Sequence, residues 1–261
     1  MAERLVFQDA DGRALTTRDL EGYTGRVRWE VIGAYDVPEQ AKRLHQEARE
    51  AGGHGDYARA LDLLDAAWDL APQWPYPAYD AAYTYLLVGE PGMAQELYEQ
   101  VDQMVPRGYF TCKASLDTLR RERAGELFPG FARAYAAIEW MDPGEKRRIL
   151  TGIVNQFPDF ALAWKDLSPL LDDDASQLHA IDQGLCGRPD AETFGLLLIN
   201  KADILIRQGD WDTGIAVLGE LALSPDSTLA TEHLAKVKLA LLTAGLRPAT
   251  APAHRRSRPP G

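Results

Sequence analysis

The chain is poor in the residues on which most protein chemistry depends. Of 261 residues, two are cysteine, four methionine and five histidine. Cys112 and Cys186 lie far apart and belong to no CxxC or Cys/His pattern, which excludes a thiolate metal centre and a disulfide framework. Two free, buried thiols in a reducing compartment are expected. The histidines (His45, His54, His179, His233 and His254) show no HExxH or other ligand spacing and read as scattered surface residues. No GxGxxG or P-loop cradles a phosphate, and Ser168-Pro169 and Ser176 lack the context of a nucleophile elbow. No cofactor and no metal are therefore expected.

Long apolar runs are also missing. The longest, 196–199, falls far short of the roughly 20 residues that cross a bilayer. The opening MAERLVFQDADGR has an acid at Glu3 and no apolar stretch, so no signal peptide is expected and a cytoplasmic location is. Positive charge is in deficit: 28 Lys and Arg against 39 Asp and Glu leave a net charge of -11. A phosphate-binding face or an anionic membrane surface would demand the reverse, so neither nucleic acid nor membrane is an expected partner. The basic clusters Arg120-Arg121-Glu122-Arg123 and Lys146-Arg147-Arg148 are flanked by acids, lack interleaved aromatics and read as solvated helix faces. Asp172-Asp173-Asp174 reads as a solvated turn at a helix N-terminus, where carboxylates meet the positive end of the dipole. Asp9, Asp11 and Gly12 lack the remaining ligands of a calcium loop and read as a hairpin turn.

What the chain does contain is repetition. Residues 1–37 read as a small β segment: Leu5, Val6 and Phe7 form strand, and Val27, Trp29 and Val31 alternate after a break at Thr24-Gly25. From Pro38 the period becomes helical. Gly55-Asp56-Tyr57 returns as Gly89-Glu90-Pro91, Ala60 as Ala94, Leu63 as Leu97, Leu64 as Tyr98 and Pro72 as Pro106, all at one shift of 34. Gly55 and Gly89 suit the left-handed residue that ends a helix. Ala60, Leu63, Leu64, Ala67 and Trp68 form one apolar stripe, matched by Ala94, Leu97, Tyr98 and Val101. Pro72 and Pro106 each close a helix.

On these residues the chain resembles the tetratricopeptide-repeat family, whose pattern runs W-x2-L-G-x2-Y, A-x3-F and P. The back half is kept as Ala60-x3-Leu64 with Pro72 and Ala94-x3-Tyr98 with Pro106. The front half is eroded: Tyr85 matches, but Ala78, Ala81 and Ala82 replace Trp, Leu and Gly. The later half is similar to bacterial tetratricopeptide-containing proteins. The resemblance implies a mainly α fold, a right-handed solenoid of helix pairs over 38–245. Clear repeats fall at about 41–74 and 75–108, and an extra helix at 109–126. Divergent pairs follow at 127–157, 158–189 and 194–225, closed by Pro158, Pro189 and Pro225. A capping helix over 229–242, with Leu234, Val237 and Leu241 on one side, ends at Gly245. The tail, 246–261, is rich in proline and arginine and is expected to be disordered.

The resemblance further implies that the first helix of each repeat lines a concave groove that holds a peptide or partner helix. The candidate groove residues are Tyr76, Tyr79, Tyr83 and Leu86, with His45 and Arg49 from the preceding repeat. Tyr79 and Tyr83 belong to a stripe distinct from Ala78, Ala81, Ala82 and Tyr85, so they either face the groove or pack between helices. The family's lysine and asparagine clamp for a carboxylate tail is not kept, because His45, Arg49 and Asp80 stand at the matching positions. A non-enzymatic interaction scaffold is the favoured expectation. The alternatives are an accessory subunit docking its β segment on a catalytic partner, an enzyme whose site no motif encodes, and self-association through the end of the array.

Overall fold

The computed structural model describes residues 4–8, 13–16, 28–32 and 35–245. Among them, a small sheet precedes twelve α-helices. Strand β1 (Arg4–Gln8) lies between β2 (Ala14–Leu15) and β3 (Arg28–Ile32), antiparallel to both, with Phe7 opposite Leu15 and Trp29. Among the described residues, strand is confined to the N-terminal segment. The turn at 9–12, the break at Thr24-Gly25 and the tail 246–261 lie outside the described residues.

Helices α1 (Glu39–Gly53) and α2 (Tyr57–Leu70) form one hairpin, and α3 (Pro75–Val88) and α4 (Pro91–Met104) form the next. The 34-residue landmarks do the same work in both. Gly55 and Gly89 turn the chain at φ of 80° and 89°, where a side chain would strain the backbone. Ala60 and Ala94, Leu64 and Tyr98, and Ala67 and Val101 are buried in pairs on the second helices. Asp56 caps α2 by accepting from the Arg59 N–H, and Pro91 opens α4. Pro72 and Pro106 stand just beyond the ends of α2 and α4. The first helices α1 and α3 also touch each other, so α1 and α3 share one side of the array.

The register runs further than the sequence pattern indicates. In α5 (Cys112–Arg123), Cys112 and Leu116 are buried where Ala78 and Ala82 stand one repeat earlier. The segment 109–126, expected as an insertion, therefore supplies a third first helix. Helix α6 (Phe131–Ala137) packs on α5 and α3, and α7 (Pro143–Gln156) packs on α8 (Ala161–Leu167). The expected pair at 127–157 is an irregular one: α6 has only seven residues and gives way to a 3₁₀ turn, Ile138–Trp140; its buried Ala132 joins the core of α3, α4 and α5, whereas Phe131 packs with Leu150, Val154 and Phe160. Then come α9 (Asp174–Cys186), α10 (Ala191–Arg207), α11 (Trp211–Leu223) and α12 (Leu229–Gly245). Gly209, with φ of 91°, repeats the hairpin turn, and Asp210 caps α11. On α12 the fully buried positions are Thr231 and Ala235, and Leu234, Leu239 and Leu242 pack beside them, a face rotated from the expected one.

The loop after α4 meets the start of α12. The Leu229 N–H donates to the Arg107 carbonyl at 2.7 Å, and the Arg107 guanidinium reaches the Ser227 carbonyl at 3.3 Å and the Glu232 carboxylate. Gly108 lies so close to Thr228 that an added Cβ would meet its methyl at 3.1 Å. Helix α5 also packs on α10. Arg121, expected on a solvated face, is instead buried. Its fork donates to the carbonyls of Asp159, Gly187 and Arg188 at 3.0 to 3.2 Å, and its Nε to Asp117 at 2.7 Å. Only a planar guanidinium satisfies several carbonyls this way. Those acceptors come from loops remote in sequence, so no helix pattern foreshadows them.

Two further expectations need adjustment. Both cysteines are free, but Cys186 is exposed at the end of α9 and only Cys112 is buried. In the acidic run, Asp173 caps α9 through Ser176, Arg147 Nη1 donates to both carboxylate oxygens of Asp172 at 2.9 Å, and Asp174 pairs with Arg207. Among the described residues no helix is long and apolar enough to cross a membrane, and no group of His, Cys, Asp and Glu is arranged to hold a metal.

Candidate interaction surface

The first-helix side of the array carries a continuous row of rings. Trp74, at the N-cap of α3, meets His45 of α1 edge-on at 4.9 Å and Tyr76 at 5.9 Å. Tyr76 lies 5.0 Å from Phe110, and Phe110 lies 5.1 Å from Tyr79 and 4.6 Å from Tyr109. Tyr79 in turn meets Tyr98 of α4 at 5.7 Å. Helical spacing places Tyr76, Tyr79 and Tyr83 on one side of α3. Phe110 joins them from the loop 105–111, which carries the chain from α4 into α5.

Charged groups edge this row. Arg49 sits over the Tyr76 ring at 5.7 Å and donates to its hydroxyl at 3.4 Å. Asp80, one turn along α3, lies 2.9 Å from His45 Nε2 and 3.8 Å from Arg49 Nε. The acid that breaks the clamp pattern thus ties α1 to α3.

The candidate residues divide. Arg49 keeps 37% of its side chain exposed, and Tyr76 and Tyr83 are half-buried on the same side. His45 is not on the surface: it is buried between Trp74 and Tyr76, because Asp80 gives its ring nitrogen a partner there. Leu86 is buried with Ala78 and Ala82 and belongs to the core stripe. Neither can be offered to a partner. Tyr79 is also half-buried, but it is engaged within the protein: its ring packs on Tyr98, Tyr109 and Phe110, and its hydroxyl shares a 2.7 Å hydrogen bond with Thr111. Burial pushes its hydroxyl pKa well up, with the charges of Tyr98, Asp80 and Glu192 adding to the effect. Sequence reading missed Trp74, Tyr109 and Phe110. The aromatic pair Tyr109-Phe110 was visible, but that its loop folds back over α3 was not.

A second polar cluster lies where α10 meets α5 and α8. Glu192, in the first turn of α10, is 5% exposed, and its Oε2 has no hydrogen-bond partner among the described residues. Burial, then the charge of Asp190, pushes its carboxyl well above the ordinary range, against the pull of Lys165 and Lys113. Burial alone would depress the Lys165 ammonium, but Asp166, at 2.7 Å, holds it above its usual value. Tyr135 donates to the same carboxylate at 2.7 Å. Two clefts open elsewhere: one of about 410 Å³ between α7, α8 and α9 beside Trp164 and His179, and one of about 440 Å³ beside Arg121 and Arg188.

No family model and no curated protein matches the chain. Among solved structures it is similar to MamA, residues 41 to the end, from Desulfovibrio magneticus RS-1, at 14% identity over 79% of this chain and 98% of that one, with a TM-score of 0.34. It is likewise similar to TTC0263, a thermophilic tetratricopeptide-repeat protein of Thermus thermophilus, at 16% identity over 77% and 99%, TM-score 0.34. A tetratricopeptide-repeat protein from Parabacteroides merdae ATCC 43184 matches at 12% over 85% and 75%, TM-score 0.33. Superpositions this loose decide nothing about the chain, and the repeat stands on its own residues.

Proposed function

We propose that the chain is an interaction scaffold that holds an extended peptide or partner helix along the side shared by α1, α3 and α5. One observation supports it above the rest: Arg49 lies over Tyr76 at the open edge of a ring row that continues through Phe110. Aromatic rings beside a guanidinium offer broad contact area at low entropic cost, the combination found at binding hot spots. With a net charge of -11, the protein favours a partner that is neutral or basic.

Panning a random displayed-peptide library against the purified protein tests this reading. Selected peptides should lose about tenfold or more in affinity on the double variant Arg49→Ala, Tyr76→Ala, a loss of about 1.4 kcal/mol or more. Peptides that bind this variant as well as the wild type would place the binding surface elsewhere.

A further inference from the structure

The loop 105–111 departs from the repeat in a specific way. Pro106 and Cys112 keep step with Pro72 and Ala78, so residues 109–111 correspond to Pro75, Tyr76 and Pro77, the first turn of α3. In the third repeat that turn is unwound, and α5 begins only at Cys112. Phe110, the counterpart of Tyr76, sits at φ of 46°, a left-handed conformation that strains a residue with a side chain. The unwound turn sends its ring back between Tyr76, Tyr79 and Tyr109 of the preceding stretch. Tyr109 is a core residue, buried with Tyr98 and Leu116, whereas Phe110 is only half-buried. The loop is tied down on its far side by the Arg107 contacts to Ser227, Leu229 and Glu232.

We infer that Phe110 is an internal occupant of the seat that a partner's aromatic side chain takes, and that the partner is a peptide anchored by such a ring. This rests on the reading of the α1–α3–α5 side as the binding face. The seat already recognises an aromatic ring from an extended stretch of chain, because the protein's own loop is bound in it. A competing phenylalanine or tyrosine from a partner gains the ring contacts with Tyr76 and Tyr79. Release of Phe110 relieves the left-handed backbone and frees residues 110–111 to wind onto α5 while Tyr109 stays in the core. Binding and the length of α5 are thereby coupled, and through Arg107 the coupling reaches the start of α12.

The test uses the full chain and a fluorescently labelled peptide with the sequence of residues 105–111, Val-Pro-Arg-Gly-Tyr-Phe-Thr. Phe110→Ala empties the seat, so it should bind this peptide about tenfold or more tighter than the wild type does. The same peptide with its phenylalanine replaced by alanine should show no such gain. Equal binding of the two peptides by a folded Phe110→Ala protein would overturn the inference. Should that variant unfold, hydrogen exchange on the wild type decides. An excess of the phenylalanine peptide should speed exchange at the Gly108 and Cys112 amides, now bonded to the carbonyls of Val105 and Tyr109 at 2.9 and 3.0 Å. Unchanged exchange would show that Phe110 is a fixed packing residue. If library peptides still map to Arg49 and Tyr76 while both these results fail, only the internal occupant is lost and the binding face stands.

Discussion

The Leu229 amide donates to the Arg107 carbonyl at 2.7 Å, joining the loop after the second repeat to the start of the last helix. An open stack of helix pairs, in which each repeat touches only its neighbours, has no such bond. Together with the Arg121 clasp, it ties α5 and the loop before it to the later helices.

Arg121 is a buried charge, and its removal should be costly. Arg121→Ala leaves three loop carbonyls and Asp117 without their donor, and a loss of about 3–5 kcal/mol is expected in urea melts. Arg121→Lys should recover only part of it, since an ammonium cannot reproduce the fork. A loss near zero would mean that these loops hold without it.

Tyr79 should behave as a packing residue. Tyr79→Ala is expected to cost about 2–4 kcal/mol, somewhat less than truncation of a fully buried aromatic, because its ring packs on three others yet is only partly buried. Tyr79→Phe should cost about 1 kcal/mol, the hydrogen bond to Thr111. Thermal melts of both variants check this. A neutral Tyr79→Ala would mean that the ring stands free to bind.

Gly195 allows α10 to pass α12 closely. A Cβ there would fall 2.6 to 2.8 Å from the side chain of the fully buried Thr231. Gly195→Ala should therefore destabilise by about 1–3 kcal/mol, although alanine is the better helix former. An increase in melting temperature would show that α12 yields easily.

Glu192 sets a pH dependence whose sign is unusual for a carboxylate. Its folded pKa lies above the ordinary 4.5, so the folded state holds the proton more tightly than the unfolded chain. Its contribution is therefore most favourable below that ordinary value and is lost as pH rises towards the raised one. Asp190, Asp166, Lys165 and Lys113 are the charged groups around it. Glu192→Gln should raise stability at neutral pH by about 1 kcal/mol or more and flatten the wild-type decline between acid and neutral pH. Glu232 works in the opposite direction: hydrogen bonds from Lys236 and Arg107 hold its pKa down, so its share is lost as pH falls. Urea midpoints measured across pH for wild type and Glu192→Gln separate the two. A variant that tracks the wild type at every pH would show that Glu192 is not buried neutral.

The repeat was legible in the sequence because local chemistry enforces it. Gly55 and Gly89 need positive φ, and Ala60 and Ala94 need to be small where helices cross, so both leave a mark at fixed spacing. The third first helix was missed because Cys112 and Leu116 replace the alanines of α3 and because its first turn is unwound. The candidate surface was only half legible. Helical spacing places Tyr76, Tyr79 and Tyr83 together, but no spacing shows that the loop 105–111 folds back to cover Tyr79. Nor does it show that Asp80 draws His45 inward. The clasp made by Arg121 and the orphaned carboxyl of Glu192 depend on contacts between elements remote in sequence, and these leave no periodic trace.

If partners dock on the side shared by α1, α3 and α5, site-specific photocrosslinking will show it, with benzoylphenylalanine placed at Gln46, exposed on α1 one turn from Arg49, in one protein and at Asp62, exposed on α2, in another. With a peptide selected from the library, adducts are expected from position 46 and none above background from position 62. Equal yields from both positions, or adducts from position 62 alone, would contradict docking on that side.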